Sequence, residues 1–292
     1  MSAGKLILGT AQLGMPYGIN NLAGKPNETE AHAILDVAWD AGIRLLDTAA
    51  AYGDAQTVIG QWHRRNAGRQ FDVISKFSAE HGTAGPREAI EEMIGTLGVD
   101  HLWGLLHHRP GEFRAQPSML HEMCELRDRQ LVNHIGVSVY ANEDAGTFSD
   151  VPQLDLIQLP FNLLDNWRQR GATITGAAGH GKIVHTRSVF LQGLLFKKPD
   201  SFPAALRPLQ KHIARLEGIA RDFGLDMGAM ALGYALRQEL VSGVLIGVDS
   251  AAQLKKNIAD IAREIPNDAL DAIDGVVVLE TALLSPANWG RA

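Results

Sequence analysis

A single (β/α)8 barrel is the fold class predicted for this chain of 292 residues. Three observations predict it. Eight short apolar segments alternate with stretches that repeat their apolar residues at helical spacing, the rhythm of parallel strands joined by crossover helices. No Pro-, Gly- or Ser-rich linker divides the chain and no internal repeat suggests an array, so residues 1–292 read as one barrel domain with a C-terminal helix and tail. Polar groups suited to chemistry stand at the ends of successive strands, where a closed parallel barrel gathers them at one mouth. A doubly wound sheet is the alternative that the alternation leaves open.

Lys5–Thr10 is the first strand, running into a long loop through Asn27. Thr29–Ala41 carries Ile34, Leu35, Val37, Ala38 and Ala41 on a helical face, with Asn27 or Thr29 as cap and Gly42 as stop. Arg44–Gly53 contains the second strand, apolar Leu45 and Leu46 ending in Asp47, then a loop that returns Tyr52 toward the same place. A helix over Asp54–Arg65 leads to a third strand, Phe71–Phe77, and Pro86–Leu97 is a helix with Pro in its first turn and Gly98 at its end. The pattern continues with strand His101–His108, helix Pro117–Arg129, strand His134–Tyr140, short helix Asn142–Phe148 and strand Leu154–Leu159. A helix within Trp167–Ala178 precedes the seventh strand, Lys182–Val189. Gln192–Pro203 reads as a loop, followed by helices Leu206–Phe223 and Met227–Gln238, the eighth strand Gly243–Val248 and helix Ala251–Ala262. Beyond Ile265 the tail holds a helix through Gly275, an apolar stretch over Val276–Leu279, then Leu283–Ala292.

Composition narrows the function. A net charge of -6 without a run of Lys and Arg argues against nucleic acid or a membrane surface as the main partner. The apolar run near the start, Leu6-Ile7-Leu8, is too short for a signal or an anchor. The single cysteine, Cys124, leaves no intrachain disulfide and suits a reducing compartment, so the expected location is the cytoplasm. Sequence sets no oligomeric state.

The second to fourth strands end in Asp47, Lys76 and the pair His107-His108. Reducing a carbonyl needs a hydride donor on one face and a proton donor at the oxygen. A phenol such as Tyr52 is too weak an acid at its ordinary pKa of ~10, but a neighbouring ammonium would stabilise the tyrosinate. Lys76 is placed to do so, with Asp47 holding it charged and a histidine orienting the substrate oxygen. Singly, Asp47 reads equally as a salt-bridge partner and Tyr52 as a packing residue; His101, His121, His134 and His212 are read as structural. Their arrival on successive strands carries the functional reading. A metal-dependent hydrolase, suggested by His107, His108 and His185, lacks a His-x-His pair in Gly9–Leu13 at the end of the first strand, and no metal is expected.

Asp47-Thr48-Ala49 followed by Tyr52-Gly53, then Ser75-Lys76, then His108-Arg109-Pro110, resembles the active-site signature of the aldo-keto reductase superfamily, in the manner of its bacterial members. The resemblance runs from Leu8-Gly9-Thr10 through Ile135–Ser138, Ile157-Gln158, Arg187-Ser188 and Gly247 to Asn257. It implies a barrel that binds NADP(H) without a Rossmann domain and reduces an aldehyde, ketone or sugar-like carbonyl through a tetrad of Asp47, Tyr52, Lys76 and His108. His108 is preferred to His107 because the family's histidine stands two places before the proline, and strand alternation would turn His107 outward. A cofactor-binding regulatory subunit with little turnover is the alternative.

Positions implied for the cofactor are Gly9, Thr10, Asp47, Ser138, Gln158, Arg187, Ser188, Gly247, Val248, Ser250, Gln253 and Asn257. Val139 stands where the family has an Asn on the nicotinamide carboxamide, and Arg187 where it has a stacking aromatic; a guanidinium plane also stacks. Gly247, Val248 and Gln253 replace basic residues that many members place on the 2'-phosphate, and Asp249 stands nearby, so NAD(H) is the other possible cofactor. Only four residues precede Lys5, too few for the family's usual hairpin under the barrel. Met15, Tyr17, Phe113, Phe161, Asn162 and Trp289 are the candidate substrate-pocket residues.

Overall fold

The computed structural model describes residues 3–77, 86–115 and 118–291. Eight parallel strands, β1 (Leu6–Gly9), β2 (Leu45–Asp47), β3 (Asp72–Phe77), β4 (Leu102–His107), β5 (Val132–Ser138), β6 (Leu156–Pro160), β7 (Ile183–Arg187) and β8 (Gly243–Ile246), close into a barrel in sequence order. Closure is made by β1 on β8, with Leu6, Ile7 and Leu8 opposite Val244, Leu245 and Ile246. The (β/α)8 expectation holds, and the doubly wound alternative is excluded by that pairing.

The period of two along each strand sorts the residues into an outer and an inner set. Leu8, Leu46, Val73, Leu105, Val137, Ile157, Val184 and Val244 join the main core, against the helices. Ile74, Leu106 and Leu156 form a separate buried cluster, with Leu45, Trp103 and Ile183 partly buried against it. Two residues further along β3, β4 and β6 the same parity brings Lys76, His108 and Gln158 to the carboxyl end of the barrel. At the opposite end Trp103 stacks on His185, with ring centroids 5.5 Å apart and planes 14° from parallel, and its centroid lies 4.5 Å from that of His134.

Helix limits follow local chemistry. Asn27, not Thr29, caps the Glu28–Asp40 helix: its side chain accepts from Glu30 N, and the Glu30 carboxylate accepts from Asn27 N. The Pro86–Leu97 helix has the predicted limits. The helix expected from Pro117 is Ser118–Asp128, Pro117 itself lying outside the described residues. Two short helices were not foreseen, Ala11–Gly14 and Pro110–Ala115. The expected loop Gln192–Pro203 is instead folded into 3-10 turns, Leu191–Phe196 and Pro199–Ser201. A further 3-10 turn, Ala204–Leu209, contains Pro208, which has no N–H for an α-helical bond, and the regular helix is Gln210–Asp222. The tail carries a helix over Asn267–Asp274 and 3-10 turns at Thr281–Leu284 and Pro286–Arg291; Ala292 lies outside the described residues. Among the described residues no helix is long and apolar enough to cross a membrane.

Candidate active site

Asp47 ends β2 and Lys76 lies near the end of β3, each 2 % exposed. Two charges so deeply buried need each other, and Lys76 Nζ contacts Asp47 Oδ1 directly. The ammonium also donates to Thr48 O at 3.1 Å, and the second carboxylate oxygen accepts from Gln158 Nε2 at 2.8 Å. Thr10 holds the strand end from β1, its N and Oγ1 donating to Asp47 O at 2.9 and 3.0 Å. Thus Asp47 joins β1, β2, β3 and β6.

The loop after β2 brings Tyr52 over this pair through a close backbone approach. A Cβ on Gly14 would lie 1.8 Å from Tyr52 O, and one on Gly53 would lie 2.3 Å from Gly14 O. Gly53 also has φ +55°, in the left-handed region that glycine tolerates. The Lys76 ammonium stands 5.2 Å from the Tyr52 ring centroid, and the His108 ring meets that ring edge-on at 6.0 Å. His107 faces the helices, packed edge-on against Phe77 and Phe113, as strand parity required.

The electrostatics differ from expectation at one point. Burial pushes the Tyr52 hydroxyl well above the ordinary phenol value, Asp47 adds to the rise, and Arg187 opposes it. Lys76 was expected to bring it down. Its charge is instead matched by the carboxylate in contact with it, so the pair offers the phenol little net positive field.

All four residues line a cavity of about 820 Å³ at the carboxyl ends of the strands. Of the positions implied for a cofactor, Gly9, Thr10, Asp47, Ser138, Gln158, Arg187, Ser188, Gly247, Gln253 and Asn257 also line it. Val248 does not; it is 2 % exposed within the core. Ser250 caps the Ala251–Asp260 helix and accepts from Gln253 N. Gln158 Oε1 is buried without a hydrogen-bond partner among the described residues, an acceptor open to an N–H donor in the cavity. Such an amide beside Ser138 fits a carboxamide, so the residues present suit a nicotinamide.

Arg187 is pinned at three points. Nη2 donates to Val139 O at 3.0 Å, Nη1 to Ser188 Oγ at 3.3 Å, and the guanidinium lies 4.3 Å over the Tyr140 ring. Tyr140 was not singled out in the sequence, although it stands two residues beyond Ser138 on the same strand parity. Gln12, Phe190 and Asp226 were also missed; they reach the cavity from loops and helix starts that carry no periodic signal, whereas Lys256 reaches it from the middle of the Ala251–Asp260 helix.

Among the substrate-pocket candidates only Tyr17 lines the cavity, its hydroxyl accepting from Gln192 Nε2 at 3.0 Å. Met15 follows the Ala11–Gly14 helix in extended conformation and is not among the lining residues. Phe113 packs on His107 and Phe148, and Phe161 stacks on Tyr234 at 5.3 Å. Asn162 is buried, its Oδ1 accepting from Leu164 N and Asp165 N. Trp289 packs on the core and donates to Leu283 O. These five do not line the cavity, and the three aromatic ones among them, Phe113, Phe161 and Trp289, are taken up by packing against neighbouring elements.

The strap after β7 crosses the mouth. Leu191, Gln192 and Gly193 all have positive φ, which turns the chain back toward the loop after β1. Ile19 N donates to Gln192 O at 3.1 Å and Lys197 Nζ to Ile19 O at 3.0 Å.

Residues 5–278 match the model of the Aldo/keto reductase family. The chain is 27% identical to D-threo-aldose 1-dehydrogenase of a Pseudomonas species, over 91% of this chain and 95% of that one. It is 26% identical to Protein tas of Escherichia coli K12, over 90% and 92%. The solved glycerol dehydrogenase of Gluconobacter oxydans superposes with a TM-score of 0.74 at 22% identity, covering 93% of this chain and 90% of that one. With a family match across nearly the whole barrel, and a buried Asp–Lys pair beside a tyrosine and a histidine at its mouth, this chain belongs to the aldo/keto reductase family.

Proposed function

We propose that the chain acts as one barrel domain that reduces an aldehyde, ketone or sugar-like carbonyl to the alcohol with a nicotinamide cofactor. The observation that carries the reading is the buried Asp47–Lys76 pair with Tyr52 and His108 around one cavity. A reduced nicotinamide bound there supplies the hydride to the carbonyl carbon. Tyr52 gives its phenolic proton to the oxygen, so that the carbonyl becomes an alcohol and the tyrosinate is reprotonated from solvent. A phenol whose pKa is raised stays protonated at neutral pH and yields its proton only to a stronger base, which the developing alkoxide is. His108 orients the oxygen, and Lys76 and Asp47 fix the strand ends from which Tyr52 is approached.

Ser138, Gln158 and Arg187 are the residues proposed to hold the nicotinamide end, and the Gly247–Asn257 segment the adenosine end, for which the family resemblance implies NADP(H). Two relatives named for an aldose and for glycerol support a polyhydroxylated substrate, as do Tyr17, Asn20, Asn21 and Gln192 in the cavity wall. A single cysteine supports the cytoplasm as the working compartment.

The test is nicotinamide absorbance on mixing the protein with NADPH or NADH and an activated aromatic aldehyde, with Tyr52→Phe as control. Oxidation that disappears in Tyr52→Phe is the expected result. Cofactor binding without turnover over a broad carbonyl panel would favour a regulatory subunit, and absence of binding would remove the assignment of the cavity.

A further inference from the structure

We infer that the cavity is built for NAD(H) rather than NADP(H), with Asp249 taking the hydroxyls of the adenosine ribose. The inference rests on the reductase reading above and concerns only the end of the cavity beyond β8.

The two cofactors differ by a 2'-phosphate, which brings about −1.5 to −2 charges and needs a cation to receive it. The basic side chain lining this end is Lys256, and its charge is already committed. Its Nζ lies 2.6 Å from Asp260 and 3.4 Å from Asp226, which Arg263 also approaches at 3.9 Å. Three carboxylates, those of Asp226, Asp249 and Asp260, therefore stand against two cations. The remaining positions cannot easily be recruited. Space over Gly247 is filled by an uncharged amide, since a Cβ there would lie 2.5 Å from Gln12 Nε2.

Asp249 lines the cavity and has no ion-pair partner among the described residues. Gln253 orients it: Gln253 Oε1 accepts from Asp249 N at 2.8 Å, and Nε2 donates to Asp249 Oδ2 at 3.3 Å. Oδ1 makes no hydrogen bond among the described residues and is left for a ligand. Burial raises the carboxyl pKa and only Gln253 acts against it, so no cation compensates this charge. A half-buried carboxylate is satisfied by hydroxyl donors, which a ribose diol supplies, and is opposed by a phosphate on the same sugar. Independently, the unpartnered Gln158 Oε1 at the other end of the same cavity points to a ligand that fills it.

The experiment is titration of the full chain with NADH and with NADPH, no carbonyl present, followed by quenching of tryptophan emission. ADP and 2',5'-ADP serve as competing probes of the adenosine end. NADH is expected to bind about tenfold tighter than NADPH or better, and ADP to compete more strongly than 2',5'-ADP. Asp249→Asn is expected to bring the two dinucleotide affinities close together, and Asp249→Asn with Gln253→Arg to invert their order. Because both are measured on each variant, a general loss of structure leaves the ratio interpretable. NADPH binding as tightly as NADH to the native chain, or a ratio unmoved by Asp249→Asn, would overturn the inference and leave the reductase reading intact. Failure of both dinucleotides to bind would overturn both.

Discussion

Asp47 Oδ1 contacts the Lys76 ammonium while Oδ2 accepts from Gln158, so removing its charge strands a buried cation. Asp47→Asn is expected to lower the unfolding free energy by about 3–5 kcal/mol in urea denaturation. Asp47→Asn with Lys76→Met should cost less than the sum of the two single changes, because the double variant leaves no unpaired charge. Tyr52→Phe removes the proposed proton donor without touching that pair, and turnover should fall about 10²–10⁴-fold while the cofactor still quenches tryptophan emission. Arg187→Tyr takes a positive charge from beside the proposed nicotinamide position; affinity for the oxidised cofactor should rise relative to the reduced one, and an unchanged ratio would remove the proposed role of Arg187. Much of this residue scale was legible: a lysine and an aspartate at strand ends demand an explanation, and strand parity separated His108 from His107. The phenol's electrostatics were not legible, because they depend on how completely Asp47 cancels Lys76 in three dimensions.

Elements declare their limits where the deciding groups are close in sequence. The Asn27–Glu30 capping box, Pro86 and Ser250 fix helix starts within a few residues, so these were readable. The strap over the mouth was not, since Leu191 and Gln192 hold positive φ only with tertiary contacts such as Gln192 O with Ile19 N to offset the strain. Gly14 likewise gives no signal in its own short segment; its need for a bare backbone arises from the Tyr52 loop packed on it. Gly14→Ala is therefore expected to move that loop, lowering stability by about 1–3 kcal/mol and reducing kcat more than it weakens cofactor binding. Turnover indistinguishable from the native enzyme would show that the two backbones can separate without cost.

Across the whole molecule, the barrel has chemistry at its mouth and a buried histidine toward its floor. His185 is held at about 3 against an ordinary 6.5, burial being the main cause and His134 the lesser one. Below the ordinary value the unfolded chain takes up a proton that the folded chain refuses. This contribution to stability is full above pH 6.5 and is lost as pH falls toward 3, at about 1.4 kcal/mol per pH unit within the window. His185→Gln should flatten that slope by one proton's worth in denaturation measured from pH 7 to 4, and a slope equal to the native one would show that other groups govern acid lability. The eightfold alternation made the barrel legible. How its floor is filled was not, because Trp103 and His185 lie on strands that never pair.

That floor also gives the molecule an optical channel. Imidazolium quenches indole emission and neutral imidazole does so far less, and Trp103 is stacked on one imidazole and tilted against another. Its fluorescence, isolated as the difference from Trp103→Phe, should report protonation at the barrel's base. A nucleotide at the opposite end contacts neither imidazole, so the pH dependence of that signal reports acid loosening of one face, while its amplitude at fixed pH reports occupancy of the other.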